Sequence, residues 1–350
     1  MLGAPVHYLT QQWGMASGFS ANGVIFPAEG DPIMLSPGMT TGVSPPGCWI
    51  DGENVYNSAD LATDLARQLI RMKIHKSRIG VDSFGVLPVQ DYQTLTRLCP
   101  DIDLVEAHRL FAEIRGPKSP EELVMMEDGI RVSELAHRTL LANLKTGAQE
   151  LAVVGKVEEV MRANGVGERI ILINSQPEAG FSFPGTSIIE RPNRITFSPE
   201  FSMTWGYGSQ AIRTYCWEEP KGEYKRMFEL CAAMRQMLIS DFRPGVQVTE
   251  MGRKIEGLIA EWGFDCRHTH LGHALGVAYG ETPYITPGPT QPRYMEWTVQ
   301  ANETYVVHPM ILDKSGKVPS AWIGDMFLIG SDRTRWMTTF LPGLPEIIPQ

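Results

Sequence analysis

The stretch "GAQELAVVGKVEEVMRANG" runs from Gly147 to Gly165, and "GVQVTEMGRKIEGLIAEWG" runs from Gly245 to Gly263. Both open on Gly-Ala/Val-Gln, have the same length and close on Gly. Val153, Val157, Val160 and Met161 of the first stand in register with Met251, Ile255, Leu258 and Ile259 of the second. That spacing predicts one amphipathic helix in each, with a glycine stop. The shared ends point to a duplicated half-domain. Two similar halves place a site at the seam between their sheets, where pockets commonly form.

Upstream, Ser119-Pro120-Glu121-Glu122 is a helix start. Ser caps, Pro takes the first helical position and Glu122 closes a capping box. Leu123, Met126, Ile130, Leu140, Leu141 and Leu144 supply the buried stripe. A boundary falls near Arg115-Gly116-Pro117-Lys118, giving domains at 1–114 and 115–350. The first domain reads as α/β. "GVIFPAEGDPIML" predicts two strands about a turn, "LATDLARQLIRM" a helix, "RIGVDSFG" a strand, Pro88 to Leu98 a helix and "DIDLVEA" a strand. Downstream, Phe197 to Pro220 predicts two antiparallel strands, and "ETYVVHPMI" and "AWIGDMFLIG" predict two more. Cys266 to Ile285 is dense in histidine.

The chain has 350 residues, enough for two cores, and 20% of them are charged. A net charge of −9, with no block of Lys and Arg, argues against nucleic acid or anionic membrane as partner. No apolar run approaches a membrane span. Met1-Leu2-Gly3-Ala4-Pro5 does not open a secretory signal. Five widely spaced cysteines suggest reduced thiols, so a cytoplasmic location is expected.

Several segments together resemble the creatinase, aminopeptidase P and prolidase family. "RGPKSPEELVMM" is similar to its inter-domain hinge and first long helix. "GYGSQAIRT" resembles its Gly-Tyr-x-Ser-Asp-x-x-Arg-Thr, and "HTHLGHALG" its His-x-x-Gly-His-Gly-x-Gly. "YGETP", "VVHPMI" and "IGDMFLI" resemble its His-Glu-x-Pro, Ile-Glu-Pro-Gly-Ile and Ile-Glu-Asp-Thr-Val-Leu-Val. Order and spacing agree over roughly residues 110–340. "HYLTQQWG" resembles the family's Tyr-Leu-Thr-Gly-Phe, so the first domain is shortened at its start. The resemblance implies an α+β fold, with a pita-bread C-terminal domain of pseudo-twofold βαβ halves and a smaller α/β N-terminal domain.

Metal-dependent members of that family hold two divalent ions with two Asp, one His and two Glu. Carried over, those positions fall at Pro199, Gln210, His273, His308 and Gly324. Two dications need bridging carboxylates, so no metal and no cofactor are expected. Cys266, His268 and His270 would share one face of a strand, which leaves a mononuclear zinc site as the alternative. Creatinase is a metal-free member and shares Gly-Tyr, Arg-Thr and Glu-Glu-Pro with this chain. It carries a Glu where Ile212 stands and a catalytic His near Phe183-Pro184, so the substrate differs.

The resulting expectation is a metal-independent enzyme acting on a small polar molecule, by hydrolysis of a non-peptide C–N bond. A lyase and a non-catalytic binding module are the alternatives, and an active metallopeptidase is disfavoured by the missing carboxylates. His273 and His308 are the candidate base and acid, converging on one pocket, and Glu200, next to the first carried-over position at Pro199, is a third candidate that could orient or accept a proton. His270, Tyr207, Arg213 and Glu281 are the candidate substrate-binding residues. For Arg213 the alternative is an ion pair with Asp325 that holds two strands. The small molecule is the expected partner, and a homodimer the expected assembly.

Overall fold

Ser119 caps its helix as its sequence dictates: its hydroxyl accepts from Glu122 N, and the Glu122 carboxylate accepts from Ser119 N. A computed structural model describes residues 22–38, 41–45, 47–82, 84–177, 180–266, 270–278, 280–291, 293–315, 318–340 and 343–348. "HYLTQQWG" lies outside them. The chain divides into two compact units, residues 1–114 and 115–350.

In the first unit, β1 (Gly23–Ile25) pairs antiparallel with β2 (Ile33–Ser36), which pairs parallel with β3 (Val55–Asn57). Helix α1 (Leu61–Arg71) follows, capped by Asp60, whose carboxylate accepts from Thr63 N. Next come β4 (Arg78–Val81), α2 (Val89–Leu98), β5 (Asp103–Glu106) and α3 (His108–Arg115), with β4 and β5 parallel. Ala62, Ala66 and Leu69 of α1 close over Ile25, Ile33, Leu35 and Leu95. This is the helix-on-sheet packing that alternating elements favour.

The second unit carries the duplication. Its first half holds α4 (Pro120–Asn143), α5 (Glu150–Ala163), β6 (Val166–Asn174), β7 (Ile195–Met203), β8 (Gly206–Gln210) and β9 (Arg213–Cys216). Its second half opens with α6 (Gly222–Asp241) and α7 (Val248–Glu261). The strands β10 (Asp265–Cys266), β11 (Gly272–Ala274), β12 (Glu281–Ile285), β13 (Thr304–Val307) and β14 (Met310–Leu312) follow. The last are β15 (Ala321–Trp322), β16 (Asp325–Leu328), β17 (Arg335–Trp336) and β18 (Glu346–Ile347). The main sheets run β18-β9-β7-β6, with β8 on β7, and β12-β11-β13-β16-β17.

The sequence echo has a backbone counterpart. Gly147 and Gly245 enter their helices at φ 86° and 92°, and Gly165 and Gly263 leave them at 89° and 87°. Only glycine holds that region without strain. The entry hydrogen bonds repeat as well. Gly147 N donates to Ile189 O and Gly245 N to Val299 O, while Gln149 bridges Ile188 and Gln247 bridges Thr298. α5 and α7 are therefore the same part of two related halves.

The halves join where β9 meets β16. Ile212 and Gly324 form an antiparallel bridge with both backbone bonds made. Beside it Arg213, with 0% of its side chain exposed, donates to Asp325 Oδ1 at 2.6 Å and to the carbonyls of Ile212 and Gly324. Thr338 also donates to Asp325. The strand-holding alternative for Arg213 is the one observed.

Two of the sequence expectations differ in detail. Phe197 to Pro220 makes the end of β7 plus β8 and β9, not two strands. "ETYVVHPMI" and "AWIGDMFLIG" each break in two, at His308-Pro309 and Ile323-Gly324. Proline lacks a donor for the ladder, and at residue 324 the backbone leaves β13's neighbourhood to bridge Ile212.

Removing one member of the buried pair strands the other charge. Asp325→Asn and Arg213→Met are each expected to destabilise the protein by about 3–5 kcal/mol, read from urea unfolding. A loss under about 1 kcal/mol, the range of exposed ion pairs, would show that the pair does not hold the halves.

Candidate active site

Strand β7 has two faces. Ile195, Phe197, Phe201 and Met203 pack into the helix-side core with Val132, Ala136 and Val157. Period-two alternation therefore turns Ser198, Glu200 and Ser202 toward the other half. Ser202 makes the crossing explicit, since its hydroxyl donates to Val277 O at 3.0 Å. Glu200 lies directly opposite Gln210 on β8, so the two share that face. Sequence spacing had assigned the first carboxylate position of the resemblance to Pro199. Glu200 is the neighbouring carboxylate, and it, rather than Pro199, stands opposite Gln210 in the ladder.

The second half supplies imidazoles. His273 on β11 pairs with Val306 of β13 and with Tyr284 of β12. His308 lies two residues beyond Val306, hence on the same face, and its N–H donates to Leu271 O at 2.9 Å. His270 stands just before β11. The ring centroids lie 5.3 Å apart for His273 and His308, 5.7 Å for His270 and His273, and 5.6 Å for His270 and His308. One ligand nitrogen from each falls within 4.8 Å of the others. Tyr284 packs on His270 and His273, and the Arg293 guanidinium sits 4.7 Å from the Tyr284 ring centre.

The electrostatics follow from burial. His273 is pulled down to about 4, mainly by desolvation, with Arg293 adding to it and the bond to Ala274 O opposing. That bond, Nδ1 to Ala274 O at 2.9 Å, also fixes the tautomer. A carbonyl only accepts, so Nδ1 carries the proton and Nε2 keeps its lone pair. Burial pushes the Glu200 carboxyl up to about 7, against the hydrogen bond from Ser198. Burial raises the Tyr284 phenol too, and the Glu200 charge adds to that rise, which places Glu200 within electrostatic reach of the imidazoles.

The other candidates are engaged elsewhere. Arg213 is in the joint described above. The Tyr207 hydroxyl donates to Glu122 Oε1. Glu281 is buried, 4.0 Å from the buried Lys118 ammonium, and accepts from Ala278 N. Cys266 pairs with Ile311 on β14, and His268 lies outside the described residues. Tyr284 and Arg293 were not singled out from sequence. Only cross-strand pairing brings Tyr284 to His273, and nothing in the local pattern marks Arg293.

A pair of dications does not fit this set. Of the five carried-over positions, Gln210 gives an amide and His273 and His308 give imidazoles, while Pro199 and Gly324 give nothing; Glu200, beside Pro199, adds one carboxylate. A Cβ at 324 would lie 2.8 Å from Ile212 Cγ1 and 2.9 Å from His308 Cβ. The Ile212 side chain fills the space a ligand there would need.

The model of metallopeptidase family M24 matches residues 124–331. The chain is 25% identical over 268 residues to the Xaa-Pro dipeptidase of Lactobacillus delbrueckii subsp. lactis, covering 74% of this chain and 72% of that one. It is 21% identical over 274 residues to the Xaa-Pro dipeptidase of Pyrococcus horikoshii, with 76% of each covered. Among solved structures, the prolidase from Pyrococcus horikoshii OT3 superposes with a TM-score of 0.80 at 18% identity, over 97% of this chain and 92% of that one. The Xaa-Pro dipeptidase from Bacillus anthracis gives 0.78 at 16%, over 98% and 91%. The fold is the pita-bread fold of that group. These relatives overturn the expectation of metal-independent, non-peptide C–N hydrolysis, because they point to peptide hydrolysis. That expectation rested on the carboxylates missing at Pro199, Gln210, His308 and Gly324 and on the motifs shared with creatinase. Among the described residues, no helix is long and apolar enough to cross a membrane.

Nitrogen-detected NMR at pH 7 should show His273 as the Nδ1–H tautomer, still neutral on titration down to near 4. Protonated Nε2, or titration at an ordinary imidazole value, would mean that its lone pair does not face the site.

Proposed function

Because the chain belongs to metallopeptidase family M24, we propose that it hydrolyses the amide bond of short peptides, Xaa-Pro dipeptides first among them. One observation carries the reading. Glu200 and Gln210 stand opposite each other in one half, and His270, His273 and His308 converge in the other, with Glu200 within electrostatic reach of Tyr284 beside them, all inside the segment that matches the family.

Glu200 is the proton carrier in this reading. A carboxyl raised to about 7 accepts a proton near neutrality and returns it readily. It takes the proton from an attacking water whose oxygen bonds to the peptide carbonyl carbon. As the C–N bond breaks, the same proton passes to the departing nitrogen. The exposed Arg293, on the Tyr284 ring, receives the carboxylate terminus of the peptide. His273 Nε2 presents a lone pair to the same space. A homodimer belongs to the proposal, supported by the exposed aromatic pair Phe26 and Trp49 on the first unit. A 39.0 kDa particle in light scattering would remove that part.

The test is proline release from Xaa-Pro dipeptides, assayed by chromatography with and without added divalent ions. The value of kcat/KM should rise with pH through about 7, as Glu200 ionises. Glu200→Gln should lower it by about 100-fold or more, and Arg293→Gln should raise KM by about tenfold. Folded protein that releases proline from no dipeptide under any of these conditions would sink the proposal.

A further inference from the structure

Of the three imidazoles, His273 keeps a ligand position of the family pattern, His308 stands where that pattern has a Glu, and His270 is additional. We propose that His270, His273 and His308 form a site for one transition-metal ion of the zinc class, in place of a two-ion carboxylate site.

The first argument is convergence. The three rings come from separate positions: two residues before β11, β11 itself and the residue after β13. Their ligand nitrogens nonetheless lie within 4.8 Å of one another. Zinc binds imidazole at about 2.0–2.1 Å with tetrahedral angles, so its nitrogens stand roughly 3.4 Å apart. Closing from the observed spacing asks for a small ring movement. His270 is half-buried and has room to make it, while His273 and His308 are held in buried backbone.

The second argument is the tautomer. The Nδ1 bond from His273 to Ala274 O is the kind of backbone bond that orients metal-ligating histidines. It leaves Nε2 as the donor atom.

The third is donor chemistry. Imidazole suits Zn²⁺ and Co²⁺, whereas Mg²⁺, Ca²⁺ and Mn²⁺ suit carboxylate oxygen. Exchanging oxygen ligands for nitrogen while keeping their location changes which ion binds and lowers the number held. Three neutral imidazoles can complete the ligand sphere of one ion, but with one carboxylate they carry a single negative charge, far too little for two dications.

A separate observation points the same way. Gln210 is buried on the shared face, and its Oε1 has no hydrogen-bond partner among the described residues. An unmet buried acceptor costs about 1–3 kcal/mol, and a cation or its ligand sphere would meet it.

This inference stands apart from the peptidase reading, and its test separates them. Chelator-treated, dialysed protein is titrated with Zn²⁺ by calorimetry and with Co²⁺ by visible absorption. One equivalent should bind, with the intense Co²⁺ bands of a four-coordinate site and a raised melting temperature in Zn²⁺. His270→Ala and His308→Gln should each weaken Zn²⁺ binding by at least about 100-fold, more than loss of an outer-shell partner costs. Cys266→Ala should leave it unchanged. Circular dichroism checks that each variant is folded, and His270→Ala, at a half-buried position, gives a readout if His308→Gln does not fold. No binding, two equivalents, or affinity unaltered in His270→Ala would overturn the proposal. Metal bound without proline release from any dipeptide would sink the peptidase reading and leave this one. Proline release from a protein that binds no Zn²⁺ or Co²⁺ would sink this inference and leave the peptidase reading.

Discussion

A guanidinium with no exposed surface sits where the two halves of the second unit meet. Arg213 cannot shed its charge, so the fold must surround it with acceptors. It does so with Asp325 and with the carbonyls of Ile212 and Gly324. Those carbonyls belong to the very residues that bridge the halves. The site depends on this joint directly. Gln210 lies three residues before Arg213, and Gly324 packs against His308. A slip of one residue at the joint would turn one half's polar face away from the other. The distance between Glu200 and the imidazoles is thus set by an ion pair that touches neither.

Much of the fold was readable in the chain. The echo between Gly147–Gly165 and Gly245–Gly263 carried the duplication, and the capping box at Ser119 placed the long helix. Both are local signals, written in residues close in sequence. The breaks at His308-Pro309 and Ile323-Gly324 were not readable as breaks, because apolar alternation runs straight through them. They matter, since they free His308 and Gly324 from regular ladders. In the site, His273 and His308 were placed by motif order. Glu200 was readable as a candidate beside Pro199, but its place opposite Gln210 follows only from the β7–β8 pairing. Tyr207 and Glu281 looked available because their partners, Glu122 and Lys118, are distant in sequence. Tyr284 and Arg293 stayed hidden for the complementary reason.

The protonation states let the site fold with no cation to balance it. His273, held near 4, stays neutral; its share of stability is full above the ordinary value of 6.5 and fades as pH falls toward 4. Glu200, raised from 4.5 to about 7, behaves oppositely: its ionisation takes stability away as pH climbs between those values. Near neutrality the face therefore holds little net charge. A cluster of carboxylates in the same space would repel itself unless metal were bound.

Gly324 and Ile212 have locked each other in place. With the Ile212 side chain lying where a 324 side chain would go, a carboxylate cannot simply reappear at 324; it would strike Ile212 and His308 at once. Shrinking Ile212 first would open a hole among Met310, Leu312 and Trp322 and weaken the joint. Either change alone therefore costs stability, so the two positions constrain each other: a side chain at 324 requires a smaller one at 212, and the core around Met310 and Trp322 must then be refilled.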